Sequence, residues 1–400
     1  MSPRIGSLCS GYGGLDLAVE RFFGGETVWF SEFEEAPSKV LAHHWPGVPN
    51  LGDMTKVDWS TVPPIDIATG GTPCQDLSTA GRRKGMTEGT RSNLWVQMRE
   101  CIAATKPSIV IWENVRGAYS ACADSDVGQC PRCMGEPGKH RPFLRALGRV
   151  LGDLSDLGFD AEVVGLRASD AGAPHARFRV FVVAYAQNSH RATSYQRWVA
   201  ASAQAQGGRA RTNAGRSDRA RTALTLLPTP AAMNPNDGED FDNWEARRLR
   251  TKARVGNGNG FGTPLSIAAQ LLPTPSVADA TGGHARRGGD RGDELLLPGI
   301  AESLNVGTWG EYAKAVARWE AVLGRPAPEP TLPDGKGGKR RLNARLVEWM
   351  MGQDDGWVTD PAIGLNRKEQ IKALGNGVVT QQAELALDIA WGRILEAVAA

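Results

Sequence analysis

The sequence is poor in cysteine and has no long apolar runs. Six cysteines are scattered over 400 residues, so we expect reduced, catalytic or metal-binding thiols rather than the disulfide framework of a small secreted domain. No apolar stretch approaches the ~20 residues that a membrane-spanning helix needs. The N-terminus also lacks the apolar core of a signal peptide. We therefore expect a cytoplasmic protein with no membrane partner.

Two further absences narrow the ligand class. No Gly-x-x-x-x-Gly-Lys-Ser/Thr loop is present, which argues against a bound nucleoside triphosphate. The formal net charge is only +2, so the charge of the whole chain identifies no partner. Positive charge is concentrated between residues 190 and 222, where the segment is rich in arginine and Asp218 is the only acid. This run fits either a phosphate-backbone contact or a solvated, flexible segment.

Hydrophobic periodicity predicts alternating strands and helices over the first 187 residues. This order favours an α/β fold with an open, mostly parallel sheet, which binds ligands at the carboxyl ends of its strands. The predicted strands are 5–10, 27–30, 65–69, 109–112, 160–166 and 180–185. The predicted helices are 15–23, 36–44, 93–105 and 143–157.

The amino-acid composition changes between residues 188 and 341, where glycine, proline, serine and arginine dominate. The pentapeptide LLPTP occurs twice in this segment, at 226–230 and 271–275. Ordered patterning then returns. We therefore predict a catalytic domain at 1–187, an inserted irregular domain at 188–341, and a return to the catalytic domain at 342–400.

A smaller insertion at about 118–142 contains four candidate zinc ligands, namely Cys122, Cys130, Cys133 and His140. One Cys-x-x-Cys pair is suggestive of a structural zinc. A second such pair is missing, so we favour a reduced cysteine-bearing loop and predict no metal site.

A glycine-rich turn, Gly11–Gly14, lies between the first predicted strand and helix. Glycine lets backbone amides approach a ligand closely, although the same turn can exist without one. Glu32 closes the second strand, where an acid can bind ribose hydroxyls. Phe33 could stack on a purine, and Asp53 is a second loop acid. Together these residues indicate a nucleoside-bearing cofactor.

Cys74 lies in the segment GGTPCQDLSTAGRRKGM, directly after Pro73. A nucleophilic thiol needs exposure and help toward the thiolate. Arg82, Arg83 and Lys84 could provide that help or hold phosphates. A lone cysteine is often a small buried hydrophobe, but turn-forming residues flank this one.

Glu113 follows the apolar run IVIW, and an acid at the end of a buried strand is costly unless it is used or paired. Arg177 and Arg179 alternate at the start of a predicted strand, so both are expected on one face. They could hold Glu113, a base or its phosphate. A strand-end salt bridge and surface ion pairs are the alternative interpretations.

Six segments, in this order, resemble motifs of the DNA (cytosine-5) methyltransferase family: LCSGYGG, GGTPCQDLS, ENV, HARFRVFVVA, RLNARLVEWMMG and LGNGVV. The resemblance covers residues 1–187 and about 341–400. It implies a Rossmann-like S-adenosylmethionine-dependent sheet with an inserted target-recognition domain. Three positions depart from the motifs: Cys9 replaces a phenylalanine, His175 a glutamine, and Gly377 a common serine.

The resemblance implies methyl transfer from S-adenosylmethionine to C5 of a flipped-out cytosine in double-stranded DNA, leaving S-adenosylhomocysteine. Cys74 would attack C6, Glu113 would bind N3 and the exocyclic amine, and Arg177 and Arg179 would support them. The implied cofactor residues are Cys9, Gly11, Tyr12, Gly13, Gly14, Glu32, Phe33, Asp53, Met54, Gly71, Pro73, Leu94, Asn376 and Val378. The implied DNA contacts are Gln75, Ser78, Arg82, Arg83 and Lys84.

Two other functions stay open. The first is an RNA cytosine-5 methyltransferase with the same catalytic core, against which the large inserted domain argues. The second is a catalytically inactive DNA-binding module, which predicts loss of Cys74 or Glu113, yet both are present. We expect a monomer that serves restriction-modification or phage self-protection, by analogy alone.

Overall fold

The structure is a computed structural model that describes residues 2–72, 94–120, 122–123, 144–187, 227, 229, 239, 241–255, 264–271, 309–333 and 341–399. The chain divides into two compact units. The first comprises Met1–Arg167, Phe178–Thr212 and Gly377–Ala400. The second comprises Ala168–Arg177 and Asn213–Asn376.

The strands in chain order are β1 (Arg4–Leu8), β2 (Glu26–Ser31), β3 (Ile67–Gly70), β4 (Ile109–Val115), β5 (Cys122–Ala123), β6 (Leu144–Arg145), β7 (Phe159–Arg167), β8 (Phe178–Ala186), β9 (Thr331–Leu332) and β10 (Arg341–Leu342). The first unit contains a six-stranded sheet in the order β2-β1-β3-β4-β8-β7. β1 to β4 are parallel, and β8 runs antiparallel between β4 and the edge strand β7. β5 pairs with β6, and β9 with β10, as short antiparallel ladders.

The helices in chain order are α1 (Gly14–Phe23), α2 (Glu35–His44), α3 (Trp95–Thr105), α4 (Ala146–Asp156), α5 (Phe241–Val255), α6 (Leu265–Leu271), α7 (Ala313–Leu323), α8 (Ala344–Met350), α9 (Arg367–Asn376) and α10 (Thr380–Ala399). Helices cover both faces of the sheet, as parallel strands require. In β4, Ile109 and Ile111 pack toward α1 and α10, whereas Val110 and Trp112 pack toward α3 and α4. This alternation follows from the two-residue period of a strand.

The α/β fold expected from the sequence is confirmed, and the predicted elements of the first 187 residues match the observed ones to within a few residues. The helix predicted at 143–157 begins only at Ala146, because Leu144–Arg145 forms β6 instead. The sheet is mixed, since β8 runs opposite to its neighbours β4 and β7, whereas β7 has the same direction as β1 to β4.

The second unit takes in more of the chain than the predicted inserted domain. Residues 342–376 are grouped with it, together with Ala168–Arg177, and the domain division made from the sequence stays a prediction. The buried Trp319 indole donates to the carbonyl of Trp349 at 2.8 Å. Arg318 donates to the carbonyls of Gly172 and Ala173, both at 3.1 Å. These contacts group α7, α8 and the loop before β8.

No helix in the described part of the chain has the length and apolar character that crossing a membrane requires. The same residues contain no group of three metal-ligating side chains. Of the candidate zinc ligands, Cys130, Cys133 and His140 lie outside the described residues, as does the side chain of Cys122. The absence of a zinc site at these residues therefore stays a prediction from the sequence. The thiols of Cys9 and Cys101 are described, and both are free of disulfides.

Candidate active site

The candidate site is the edge of the sheet at which β1 to β4 end. The strands finish in register: Leu8 of β1 pairs with Ser31 of β2 and Gly70 of β3, and Gly70 pairs with Trp112 of β4. Whatever follows these strands in the sequence must therefore meet at one edge. The glycine-rich turn, the acid after β2, the residues after β3 and Glu113 in β4 all do so.

The turn after β1 has a backbone that the sequence explains. Gly11 and Gly13 have φ values of +59° and +86°, in the left-handed region that favours glycine. A Cβ on Gly13 would also lie 2.6 Å from the Trp45 ring. Gly13 caps α1, so the free amides of the helix N-terminus face the same edge. Cys9 shares the left-handed backbone, with a φ of +52°.

Glu32 ties the end of β2 to this turn. One carboxylate oxygen accepts the Gly11 amide at 2.9 Å, and the other accepts the Glu34 amide at 2.8 Å. Burial raises the pKa of Glu32, while these amide hydrogen bonds lower it. Each carboxylate oxygen can accept a second hydrogen bond. The acid can therefore hold the turn and still receive the hydroxyls of a ribose.

Two of the predicted cofactor residues, Phe33 and Asp53, lie in loops and differ in their surroundings. Phe33 is 75% exposed, so its ring is available for stacking. Asp53 accepts the Thr55 amide and hydroxyl at 3.1 and 2.8 Å and pairs with Lys56 at 3.3 Å. The Thr55 hydrogen bonds, with a smaller contribution from Lys56, lower the pKa of Asp53. Asp53 is therefore an anionic acceptor at neutral pH.

Four further predicted cofactor residues of the first unit lie in or against its hydrophobic core. The Cys9 thiol lies 3.7 Å from the Met54 sulfur, and Met54 is buried. Burial, followed by the Glu32 charge, raises the pKa of Cys9, so this thiol stays neutral. Leu94 precedes α3 and packs against the core. Val378 is buried just before α10.

Glu113 and Arg179 form a buried ion pair, with 2.6 Å between the Glu113 Oε1 and the Arg179 Nε. Their side chains are only 10% and 11% exposed. The pairing of β4 with β8 explains the contact, because Glu113 is opposite Phe181, two residues from Arg179 on the same face. A Cβ on Gly71 would lie 2.9 Å from the other Glu113 oxygen. Glycine at this position therefore leaves room for the carboxylate.

Arg177 and Asn376 are assigned to the second unit. β8 begins at Phe178, so Arg177 directly precedes the strand that contains Arg179. Its guanidinium donates to the carbonyl of Gly375 at 2.9 Å. Asn376 ends α9 and is exposed. His175 is buried, with Nε2 3.0 Å from the carbonyl of Met350.

Sequence reasoning missed Thr72, which links β4 to the base of the cysteine segment. The Trp112 indole donates to the Thr72 hydroxyl at 2.9 Å, and the Asn114 amide donates to the Thr72 carbonyl at 3.1 Å. All three side chains are buried. The donors flank Glu113 in the chain, so one strand positions both the acid and the backbone two residues before Cys74. The signal available in the sequence was a hydrogen-bonding residue directly before Pro-Cys.

The cysteine segment itself lies outside the described residues. It contains the predicted nucleophile Cys74 and the predicted cofactor residue Pro73. It also contains all the predicted DNA contacts, namely Gln75, Ser78, Arg82, Arg83 and Lys84. Their assignments stay predictions from the motif.

The sheet is mostly parallel, with a glycine-rich turn after its first strand and an acid after its second, and a buried Glu–Arg pair joins its fourth strand to β8. These features define an α/β methyltransferase fold. The profile of the C-5 cytosine-specific DNA methylase family matches residues 4–388. The chain therefore belongs to that family.

Relatives of this chain include bacterial and phage methyltransferases. The type II methyltransferase M.NgoFVII of Neisseria gonorrhoeae is 30% identical over 183 residues, which are 45% of this chain and 43% of that protein. M.HhaI of Haemophilus parahaemolyticus is 30% identical over 182 residues, 46% of this chain and 49% of the relative. An Escherichia phage P1 protein named DNA N-6-adenine-methyltransferase is 39% identical over 135 residues, 31% of this chain and 18% of its own length.

The matched regions thus span less than half of each of these relatives. Among solved structures, a DNMT2 mutant from Spodoptera frugiperda is 15% identical, covering 98% of this chain and all of that one, with a TM-score of 0.47.

Proposed function

We propose that the protein transfers a methyl group from S-adenosylmethionine to C5 of a cytosine in double-stranded DNA, through a covalent bond between Cys74 and C6. The observation that carries the proposal is the Glu113–Arg179 pair, buried at 2.6 Å at the carboxyl edge of the sheet. The strand that holds Glu113 also anchors Thr72, two residues before Cys74. One strand therefore holds the acid and the backbone that precedes the cysteine segment.

The residues at this edge fit S-adenosylmethionine. Glu32 keeps acceptor capacity for ribose hydroxyls, and the anionic Asp53 can accept from an exocyclic amine of adenine. The exposed Phe33 ring offers a stacking surface. The turn that contains Gly11 leads into the N-terminus of α1, where the first amides have no acceptor within the helix. When bound, S-adenosylmethionine supplies an electrophilic methyl group.

The side chains of the chain would prepare the base for that group. The Cys74 thiolate adds to C6, which makes C5 electron-rich. Glu113 hydrogen-bonds N3 and the exocyclic amine, so it stabilises the charge that develops on the ring. Arg179 holds the Glu113 carboxyl in place, and Arg177 is proposed to support the same acid and base. Loss of the C5 proton and cleavage of the bond to Cys74 then release the methylated base.

Chemistry at these ring atoms requires the cytosine to leave the duplex, at a cost of a few kcal/mol. We propose that Gln75 and Ser78 contact the DNA near the vacated position and that Arg82, Arg83 and Lys84 contact phosphates. Reversing the charge at Arg82 and Arg83 should reduce the salt dependence of duplex binding by about two counterions. An unchanged salt slope would remove these residues from the interface.

Transfer of labelled methyl groups to duplex DNA and to tRNA tests the function directly. We expect label in duplex DNA, none in tRNA, and none in either with Cys74→Ser. Duplexes containing 5-fluorocytosine should trap a covalent adduct, because fluorine at C5 leaves no proton to remove. Label in tRNA alone would favour the RNA enzyme, and duplex binding without transfer would favour the inactive module. Full activity of Cys74→Ser would refute the covalent mechanism.

The recognition sequence and the biological role are finer proposals. We assign sequence reading to residues 188–341, through the major groove. Methylation-sensitive sequencing of DNA from cells that express the chain should reveal one short methylated motif. Resistance of that DNA to a nuclease that cuts the same motif would support a protective role. We further propose a cytoplasmic monomer, which light scattering of the purified chain and cell fractionation would check.

A further inference from the structure

Tyr12, inside the glycine-rich turn, is completely buried, and its hydroxyl donates a hydrogen bond to the carbonyl of Val378. The turn therefore contacts a segment more than 360 residues away in the chain. Thr380 adds a second link, because its hydroxyl donates to the carbonyl of Gly14 at 3.1 Å. Side-chain hydrogen bonds from Tyr12 and Thr380 thus join the turn to the segment around the start of α10, within the first unit.

The Tyr12 ring also occupies the space that a side chain at position 377 would need. A Cβ on Gly377 would overlap the Cε1 atom of the ring and would lie 2.7 Å from its Cζ. The backbone of Gly377 is not among the positive-φ glycines. Glycine at 377 is therefore required by space and not by backbone conformation. The same holds for Gly14, where a Cβ would lie 2.7 Å from the Tyr12 ring and would overlap the Val378 carbonyl.

We propose that Tyr12 is a positioning residue for the cofactor and that Gly377 is its obligate partner. The phenol sets the distance between the turn and the Gly377–Val378 segment, and both elements are proposed to line the S-adenosylmethionine pocket. The inference rests on the proposed function, since it deepens the account of that site. It also explains why the serine that the family motif commonly carries at 377 is absent from this chain.

The test is a double-mutant cycle on the full chain, read as binding of S-adenosylhomocysteine by calorimetry. Tyr12→Phe keeps the ring but loses one hydrogen bond, so affinity should fall about three- to tenfold, and the KM for S-adenosylmethionine should rise more than kcat falls. Gly377→Ser should weaken binding at least about tenfold, since the ring must move. Gly392→Ser in α10 is the matched control, because nothing lies within 4 Å of its Cβ position.

The cycle is closed by Tyr12→Ala, measured alone and in combination with Gly377→Ser. Removing the ring makes room for the serine, so the double variant should bind more tightly than Gly377→Ser alone, a non-additive result. Binding by Gly377→Ser at the level of wild type, or strictly additive losses in the double variant, would overturn the proposal. Wild-type protein that bound no cofactor would overturn the proposed function instead. The same cycle in the free energy of unfolding would then still show whether the two residues are coupled.

Discussion

Replacing Arg179 by methionine isolates the role of the buried pair. The change removes the cation that lies 2.6 Å from a carboxylate with only 10% of its side chain exposed. Breaking a buried pair typically lowers the free energy of unfolding by about 3–5 kcal/mol, because the remaining charge has no partner. Arg21→Met is the control, since Arg21 and Glu384 form a pair at 3.4 Å with 42% and 34% of their side chains exposed. That exposed pair should contribute about 0–1 kcal/mol.

Urea denaturation at neutral pH measures both effects, and adding Glu113→Gln to Arg179→Met separates charge from packing. The neutral amide removes the uncompensated charge, so the double variant should regain much of the lost stability. Methyl transfer should stay depressed, because misplacing a catalytic group by about 1 Å can lower the rate about 10²-fold. If Arg179→Met were as stable and as active as Arg21→Met, the argument from the ion pair would be refuted.

The other predictions concern buried groups near the site and in the second unit. Gly71→Ala should displace the Glu113 carboxylate, because the added methyl group would lie 2.9 Å from one of its oxygens. The rate of methyl transfer should fall while the urea midpoint changes little, and an unchanged rate would contradict this prediction. Burial raises the pKa of Asp16 from 3.8 to about 7, so the unfolded chain loses this proton first and stability falls as pH rises between these values. Asp16→Asn should therefore be more stable than wild type by up to about 4 kcal/mol above pH 7 but not below pH 4, and equal stabilities across this pH range would refute it. Glu348 is fully buried and accepts hydrogen bonds from the amides of Gly356 and Thr359, both at 2.9 Å. Glu348→Ala should therefore lower the free energy of unfolding by about 3 kcal/mol or more. A negligible change on urea denaturation would contradict this prediction.

Much of the fold could be predicted because the spacing of apolar residues along the chain follows from which side chains are buried. The run around Ile109 and Ile111 is apolar at every position, and the structure places it in a sheet covered on both faces. Glycines at 11 and 13 marked a turn, and their left-handed backbones confirm it. The predicted domain division at residue 341 stays a prediction. Contacts such as the hydrogen bond from Trp319 to Trp349 depend on packing between α7 and α8 that no local pattern reveals.

The sequence by itself determined the order of elements, the chemistry at the strand ends and the motifs that identify the family. These depend on residue type and spacing, which the chain carries locally. Only the tertiary structure decided which groups meet. It paired Arg179 with Glu113, placed Arg177 before the strand and joined Thr72 to Trp112 and Asn114. It also brought Tyr12 against Gly377, so that one glycine is required by a ring from the other end of the chain. Such contacts depend on strand register and helix packing, and sequence spacing does not specify either.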